Sequence, residues 1–321
     1  MTACCSISSF EASPIRSLSD HWGLGRPNRV YAAFKFSCFT LLGSLLFPDL
    51  LIYLFVLSGG SFSILDWHQL PSPGSSDVIF LAFLVAFAVK VPCGRSIPWL
   101  PDAHVEAPTG GSIVLAAIAL KLRGLRFPRF SLPIAPDASH ELSGLIVGLS
   151  LIATVLHRTG GIGARKTWKA GGLFVDRPRV SVTLGFFMFS ALGLEGALVQ
   201  MISHGFIAGA MFYCIGVMYD RVHSRQIARI TAVWSYHAQV RRFFMLFAMA
   251  NAGLPATSVL SASSWSFLPP SSSISGERFA ALSMIVGAAY TLWMYKRVVF
   301  GAVANHHVAE LTDISAREFW F

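Results

Sequence analysis

Apolar residues run along this chain in long stretches, 31–58, 77–92, 111–122, 142–157, 180–200, 204–219, 243–261 and 279–300, each bounded by proline, glycine or charge. A helix that crosses a bilayer needs about 20 mostly apolar residues. The second and third runs are shorter than that and bracket an irregular proline-rich stretch. A short or broken span is tolerated in lipid only where neighbouring protein satisfies its backbone groups. The pattern therefore predicts an all-α, polytopic transmembrane helix bundle of six to eight spans with interrupted helices.

Composition agrees. Of 321 residues 54% are hydrophobic and only 13% charged, with a mean hydropathy of +0.59, against roughly 25% charge in a soluble domain. The net charge of +9 would suit a nucleic-acid partner, but the basic residues are scattered and lack interleaved aromatics. Positive loops beside membrane spans account for them more simply. Arg221, Arg225, Arg229, Arg241 and Arg242 lie between two spans and predict a cytoplasmic loop there. The five cysteines have no C-x-x-C spacing, which supports neither a zinc site nor a disulfide framework. Met1 to Asn28 shows no basic region followed by an apolar core, so no cleavable signal peptide is expected. No solenoid-length repeat and no linker divides the chain. The organisation expected is an N-terminal region over 1–30, one membrane domain over 31–300 and a tail over 301–321.

Chemistry is sparse. A charged side chain inside a span costs about 2.5–3.5 kcal/mol on insertion scales, so an intramembrane lysine is a functional candidate by default. Lys90 ends the run Val78 to Val89 and Lys121 ends Ser112 to Leu120. Either could instead sit at a helix end and carry its ammonium to the interface. Between them lies Trp99-Leu100-Pro101-Asp102-Ala103-His104-Val105-Glu106-Ala107-Pro108-Thr109, which reads as a helix-breaking loop at the membrane boundary. It would bring Asp102, His104 and Glu106 together, with a metal site as a minor alternative. His204 opens an apolar run and could relay protons, since imidazole titrates near pH 6.5, or could be a hydrogen-bonded histidine at a helix end. Glu11 and Glu195 are ambiguous, and Lys35 could face the bundle edge. No phosphate loop, nucleophile elbow or cofactor fingerprint occurs.

Several of these stretches carry a resemblance. Ala88-Val89-Lys90-Val91-Pro92 and the segment Trp99 to Thr109 resemble the signature of the antiporter-like, proton-pumping subunits of NADH-quinone oxidoreductase, complex I. So do Gly111 to Lys121, Arg129 to Pro133, Gln200 to Gly205, Gly216 to Arg221, Ala248 to Ser258 and Ala288 to Gly301. With Pro27 to Phe36 they favour the M-type branch, called subunit 4 in mitochondria. The resemblance implies a membrane-arm subunit with a central row of ionisable residues, moving protons while the whole complex passes electrons from NADH to quinone. Lys90 resembles the family lysine of a broken helix, Glu11 its glutamate partner, Lys121 the central lysine and His204 an axial histidine. A nearby carboxylate raises the proton affinity of a buried lysine until charge movement separates them. The family implies no cofactor on this chain: NADH, FMN, iron–sulfur clusters and quinone serve the whole complex. Its partners would be other membrane-arm subunits, the lipid bilayer and protons, with no nucleic acid. Its location would be a bacterial plasma membrane or the mitochondrial inner membrane.

Segments 12–25, 93–98, 158–179 and 259–276 depart from that pattern, turning rich in Arg, Ser, Pro or Gly. One possible coding of Cys93 to Pro98 reads Met-Trp-Pro-Val-His-Thr in the neighbouring frame, as the family has it. Gly172 to Arg179 likewise conceals Ala-Tyr-Ser-Ser-Ile-Ala-His, and Ala262 to Phe267 conceals Glu-Phe-Leu-Val-Leu. Compensated frameshifts are therefore expected, and as written Ser263 replaces the family's exit-side glutamate. Two other readings follow: a subunit of a multisubunit sodium/proton antiporter, which shares the lysine and Pro-Asp-Ala-His features, and a non-transporting remnant.

Overall fold

The computed structural model describes residues 28–70, 76–88, 99–150, 152, 177–222, 238–267 and scattered helical positions from 285 to 299. Every regular element among them is helical. The first apolar run forms α1 (Arg29–Leu57), which at 1.5 Å per residue reaches about 43 Å, well beyond the roughly 30 Å hydrocarbon core. Pro48 lies inside it without ending it. At its C-terminus Gly59 and Gly60 take φ values of 73° and 101°, which a Cβ would oppose. The chain then turns through the short α2 (Ile64–His68), where the Trp67 indole donates to the Ser61 carbonyl at 2.9 Å.

Helix α3 (Ser76–Ala88) returns beside α1. Its apolar face joins an aromatic cluster in which Phe47 meets Phe83, Phe87 and Phe130 at ring-centroid distances of 6.1, 5.6 and 5.8 Å. Offset aromatic pairs of this kind add about 0.5–1.5 kcal/mol beyond burial. Arg126, itself buried, sets its guanidinium 5.0 Å from the Phe47 ring centre.

The Trp99 to Thr109 segment corrects the expectation of a loop: residues Trp99–Glu106 form helix α4. Pro101 falls in its first turn, where a missing N–H removes no helical bond. The next helical run is also longer than its apolar stretch. It passes from α5 (Thr109–Val114) through a π-helical segment, Leu115–Ala119, into α6 (Leu120–Gly124). After a turn at Leu125 come a second π segment, Phe127–Ser131, and the short α7 (Leu132–Ile134) and α8 (Pro136–Glu141). Pro128 and Pro133 read as breakers in sequence. Each stands at the first or second position of its element, where proline is accommodated.

A second correction concerns the runs 180–200 and 204–219. The break lies earlier, at residues 187–190, between α9 (Arg177–Phe186) and α10 (Ala191–Val222). Phe189 there has φ 50°, and the Ser190 hydroxyl caps α10 by accepting the Gly193 N–H at 3.0 Å. Gln200 to His204, polar enough to suggest a boundary, is the middle of one 32-residue helix. The 243–261 run is divided instead, into α11 (Ala238–Ala252) and α12 (Ser258–Phe267), around Gly253 at φ 84° and Ala256 at φ 72°.

Among the described residues two helices are long and apolar enough to cross a membrane, α1 and Ala191–Arg221 within α10. The apolar window of α10 is 67% buried in the protein and that of α1 35%, which makes α10 the central helix. The outer face of α1 exposes Phe34, Leu42, Ile52 and Val56, as a helix facing lipid or another subunit would.

Candidate functional site

Glycines on α10 set how closely it approaches the α5–α6 helix. A Cβ added at Gly216 would overlap the Thr109 side chain; one at Gly209 would lie 3.5 Å from Ala117 Cβ. At Gly205 it would meet the Ala117 carbonyl oxygen at 3.0 Å and Lys121 Cε at 3.9 Å. At the far end a Cβ on Gly124 would lie 3.1 Å from Met201 Sδ. As α10 ascends from 201 to 216 its neighbour descends from 124 to 109, so the two helices run antiparallel. Small residues at an interface let backbones close up where lipid supplies no hydrophobic drive between helices.

That closeness brings two of the sequence-derived candidates to one place. Lys121 is half-buried, its Cε 3.9 Å from where a Cβ on Gly205, the residue after His204, would stand. It is not at a frayed helix end carrying its ammonium outward: Nζ donates a short hydrogen bond to the Ala116 carbonyl, five residues back. The π segment explains the reach. Its backbone bonds run from i to i+5, and helical side chains lean toward the N-terminus, so position 121 lies over the carbonyl of position 116. His204 is 2% exposed and sits in the interior of α10, which removes the reading of a histidine at a helix end. One turn earlier, Gln200 is 1% exposed and shares its face.

The wall around them is apolar. Phe36 of α1, Ala103 of α4, Leu115, Ala116 and Leu120, and Ala208 and Phe212 of α10 form one buried cluster. His104 is held there too, its ring stacked on Phe212 at 4.8 Å and its carbonyl accepting the Ser112 hydroxyl at 3.3 Å.

Asp102, His104 and Glu106 do not converge. Because α4 is helical, Asp102 and Glu106 share a face and His104 points elsewhere. Asp102 pairs with Lys35 at 2.7 Å, side chains 22% and 19% exposed, and Glu106 accepts the Asn28 N–H at 3.2 Å. No cluster of three or more His, Cys, Asp or Glu able to hold a metal occurs among the described residues. The Lys35–Asp102 pair corrects the placement of Lys35 at a bundle edge. Its signal was a lysine at the fifth position of the mostly apolar run 31–58, which asks for a counter-charge. Tyr31 lies beside it, its ring centre 5.4 Å from Nζ.

Lys90 and Glu11 fall outside the described residues, as do most positions of the segments 12–25, 93–98 and 158–179. Glu195 is exposed near the start of α10. Ser263 is 3% exposed on α12. Arg221 ends α10 and donates to the Val217 carbonyl at 3.0 Å, while Arg241 and Arg242 lie in the first turn of α11.

A family model described as NADH:quinone oxidoreductase/Mrp antiporter, transmembrane, matches residues 18–291. NADH-quinone oxidoreductase subunit M of Rhodobacter capsulatus is 36% identical over 96% of this chain and 63% of its own. NADH-ubiquinone oxidoreductase chain 4 of Chondrus crispus is 36% identical, covering 93% and 61%. The chain thus spans about three fifths of the length of these curated relatives. Among solved structures, respiratory complex I from Thermus thermophilus with bound NADH contains a chain similar at a TM-score of 0.91 and 24% identity, over 99% of this chain and 68% of that one. The Mrp complex from a Dietzia species gives 0.73 and 18% identity, over 86% and 52%. Both likenesses are of fold.

Proposed function

The chain belongs to the NADH:quinone oxidoreductase/Mrp antiporter transmembrane family, and from that premise we propose that it is a proton-translocating membrane-arm subunit of NADH-quinone oxidoreductase. The observation that carries the reading is the closeness of Lys121 to Gly205, the residue after the buried His204, where α10 crosses the α5–α6 helix. The curated relatives favour the oxidoreductase over the antiporter, since those matched across this chain are subunit M or chain 4.

In this reading residues 31–300 form the translocating domain, with six to eight spans in an integral membrane protein of a bacterial plasma membrane or mitochondrial inner membrane. Lys121 and His204 exchange the proton, with Lys90 and its partner Glu11 on the entry side. A neutral lysine takes a proton when a carboxylate is near and yields it when that charge moves away. The π segment gives Lys121 a carbonyl on which to rest its charged form. Other membrane-arm subunits are its partners. Electron transfer is assigned to the rest of the complex, and no flavin, iron–sulfur, nicotinamide or metal site to this chain, which carries no fingerprint for one.

The fold likeness to the Mrp complex keeps a sodium/proton antiporter as the second reading, and Ser263 at the exit-side position favours a non-transporting remnant. One experiment separates the three. In inverted membrane vesicles from a host lacking this gene, restoring the full chain should restore NADH-driven, uncoupler-sensitive proton uptake. Sodium-driven proton exchange without NADH would identify the antiporter. Assembly with no proton movement would identify the remnant.

A further inference from the structure

Resting on the reading of this chain as one subunit of a larger membrane complex, we propose that the outward face of α1 around Asp49 docks a transmembrane helix of a neighbouring subunit. That helix is apolar and carries a lysine or arginine level with the Asp49 carboxylate. Asp49 is exposed on α1 and takes part in no hydrogen bond or ion pair among the described residues. Leu45, Leu46, Ile52 and Tyr53, three and four residues to either side, are exposed as well and share its face. The opposite face of α1 packs on α3 and α4. The outward stripe is thus apolar around one carboxylate.

The depth of that carboxylate selects the occupant. The eight residues after it, Leu50 to Leu57, carry no charge, and at 1.5 Å per residue they place Asp49 about 12 Å from the helix end. No other charge occurs back to Lys35. Setting Asp49 among lipid headgroups would push Leu50 to Leu57 into water; keeping them in the bilayer puts Asp49 in its hydrocarbon region. Ionisable side chains at that depth are costly, and where they occur they face protein or a water-filled cavity and pair with another group. Lipid is therefore a poor cover for this stripe. A helix with a cation opposite the carboxylate makes a charge-assisted pair inside an otherwise apolar contact. Such a pair also fixes register, since sliding either helix by a turn would strand two charges in hydrocarbon.

The other long apolar runs of the chain are engaged elsewhere. The run 142–157 meets α9 through Ser150 and Thr183, whose hydroxyl oxygens are 3.0 Å apart. The run 279–300 places Tyr295 and Val299 in a buried cluster with α10 and α11. The segments between the runs hold no further stretch of about 20 apolar residues. The helix that covers α1 is accordingly supplied from outside residues 1–321.

The test uses the full chain restored to its host and photo-cross-linked in native membranes from p-benzoylphenylalanine at Leu45 or Ile52. The expected product joins this chain to another subunit, through a peptide that mass spectrometry places in a span containing lysine or arginine. A cross-link to lipid alone, to this same chain, or to a span without a basic residue would overturn the proposal. In parallel, Asp49→Leu should lower the share of the chain found in the complex on a native gel by at least about tenfold, and Asp49→Glu should recover most of it. A lipid-facing carboxylate predicts the opposite, unchanged assembly and a raised melting temperature in Asp49→Leu, and that result too would overturn the proposal. If Asp49→Leu does not accumulate in the membrane, the cross-links, made with Asp49 in place, still decide. The expected cross-link from a native chain that drives no NADH-dependent proton uptake would support the docking surface and overturn the functional reading alone.

Discussion

Two lysines in this protein lie in apolar surroundings and are handled in opposite ways. Lys35 of α1 meets a carboxylate, Asp102, at 2.7 Å, with both side chains about one fifth exposed. Lys121 rests on a backbone carbonyl and on a glycine-lined helix crossing beside the buried His204. An ion pair of close opposite charges compensates itself and has little reason to release its proton. Lys121 lies instead where two central helices approach most closely, next to the residue that follows the buried His204, and in the proposed function it is the lysine that exchanges. Lys35 therefore reads as the pin joining α4 to α1 and Lys121 as the moving part.

The sharpest way to break this contrast is to remove each amine in turn. Lys121→Met should cut NADH-driven proton uptake by tenfold or more, at least about 1.4 kcal/mol in barrier terms, while the assembled complex stays abundant. Next in size is closure of the helix crossing. Gly216→Val would drive a side chain into Thr109, and overpacking of this kind costs about 1–3 kcal/mol or more. Reduced assembly on a native gel and a lower melting temperature in detergent are expected.

Lys35→Met or Asp102→Asn should each destabilise by about 1 kcal/mol, because the remaining charge is left partly buried. The exchanged pair, Lys35→Asp with Asp102→Lys, should recover part of that loss in a double-mutant cycle. Proton uptake per assembled complex should change little in any of the three, and a tenfold loss would erase the distinction from Lys121. Smallest of all is Glu195→Gln. This residue is exposed, and surface substitutions stay within about 0.5 kcal/mol, so melting temperature and uptake should match the native protein.

Much of this was legible in the sequence. The run 31–58 is α1 almost to the residue, because its one proline, Pro48, does not end a helix of that length. Lys121 and His204 were recognisable as chemistry because each is a titratable group in apolar company. That they lie near the same helix crossing was not, since the crossing depends on Gly205, Gly209 and Gly216, whose role is what they lack.

Helix boundaries were the weaker part. Polarity at Gln200 to His204 suggested a gap between spans, yet an amide and an imidazole can stay helical when they face the protein interior, and the break falls at Phe189, an aromatic residue with positive φ. In α4, the proline and charges that read as a loop are a helical first turn and two carboxylates aimed at α1. The π segments had no sequence signal: Leu115–Ala119 is ordinary apolar helix in composition. Lys90 and Glu11 lie outside the described residues, so their parts in the path rest on the resemblance.

The most direct measurement of the central claim is proton uptake by vesicles carrying the assembled complex with Lys121→Met, normalised to NADH oxidised and to the amount of complex present. The account predicts uptake at one tenth of the native value or less with assembly preserved. Native uptake from that variant would contradict it, and would leave the approach of Lys121 to Gly205 as packing.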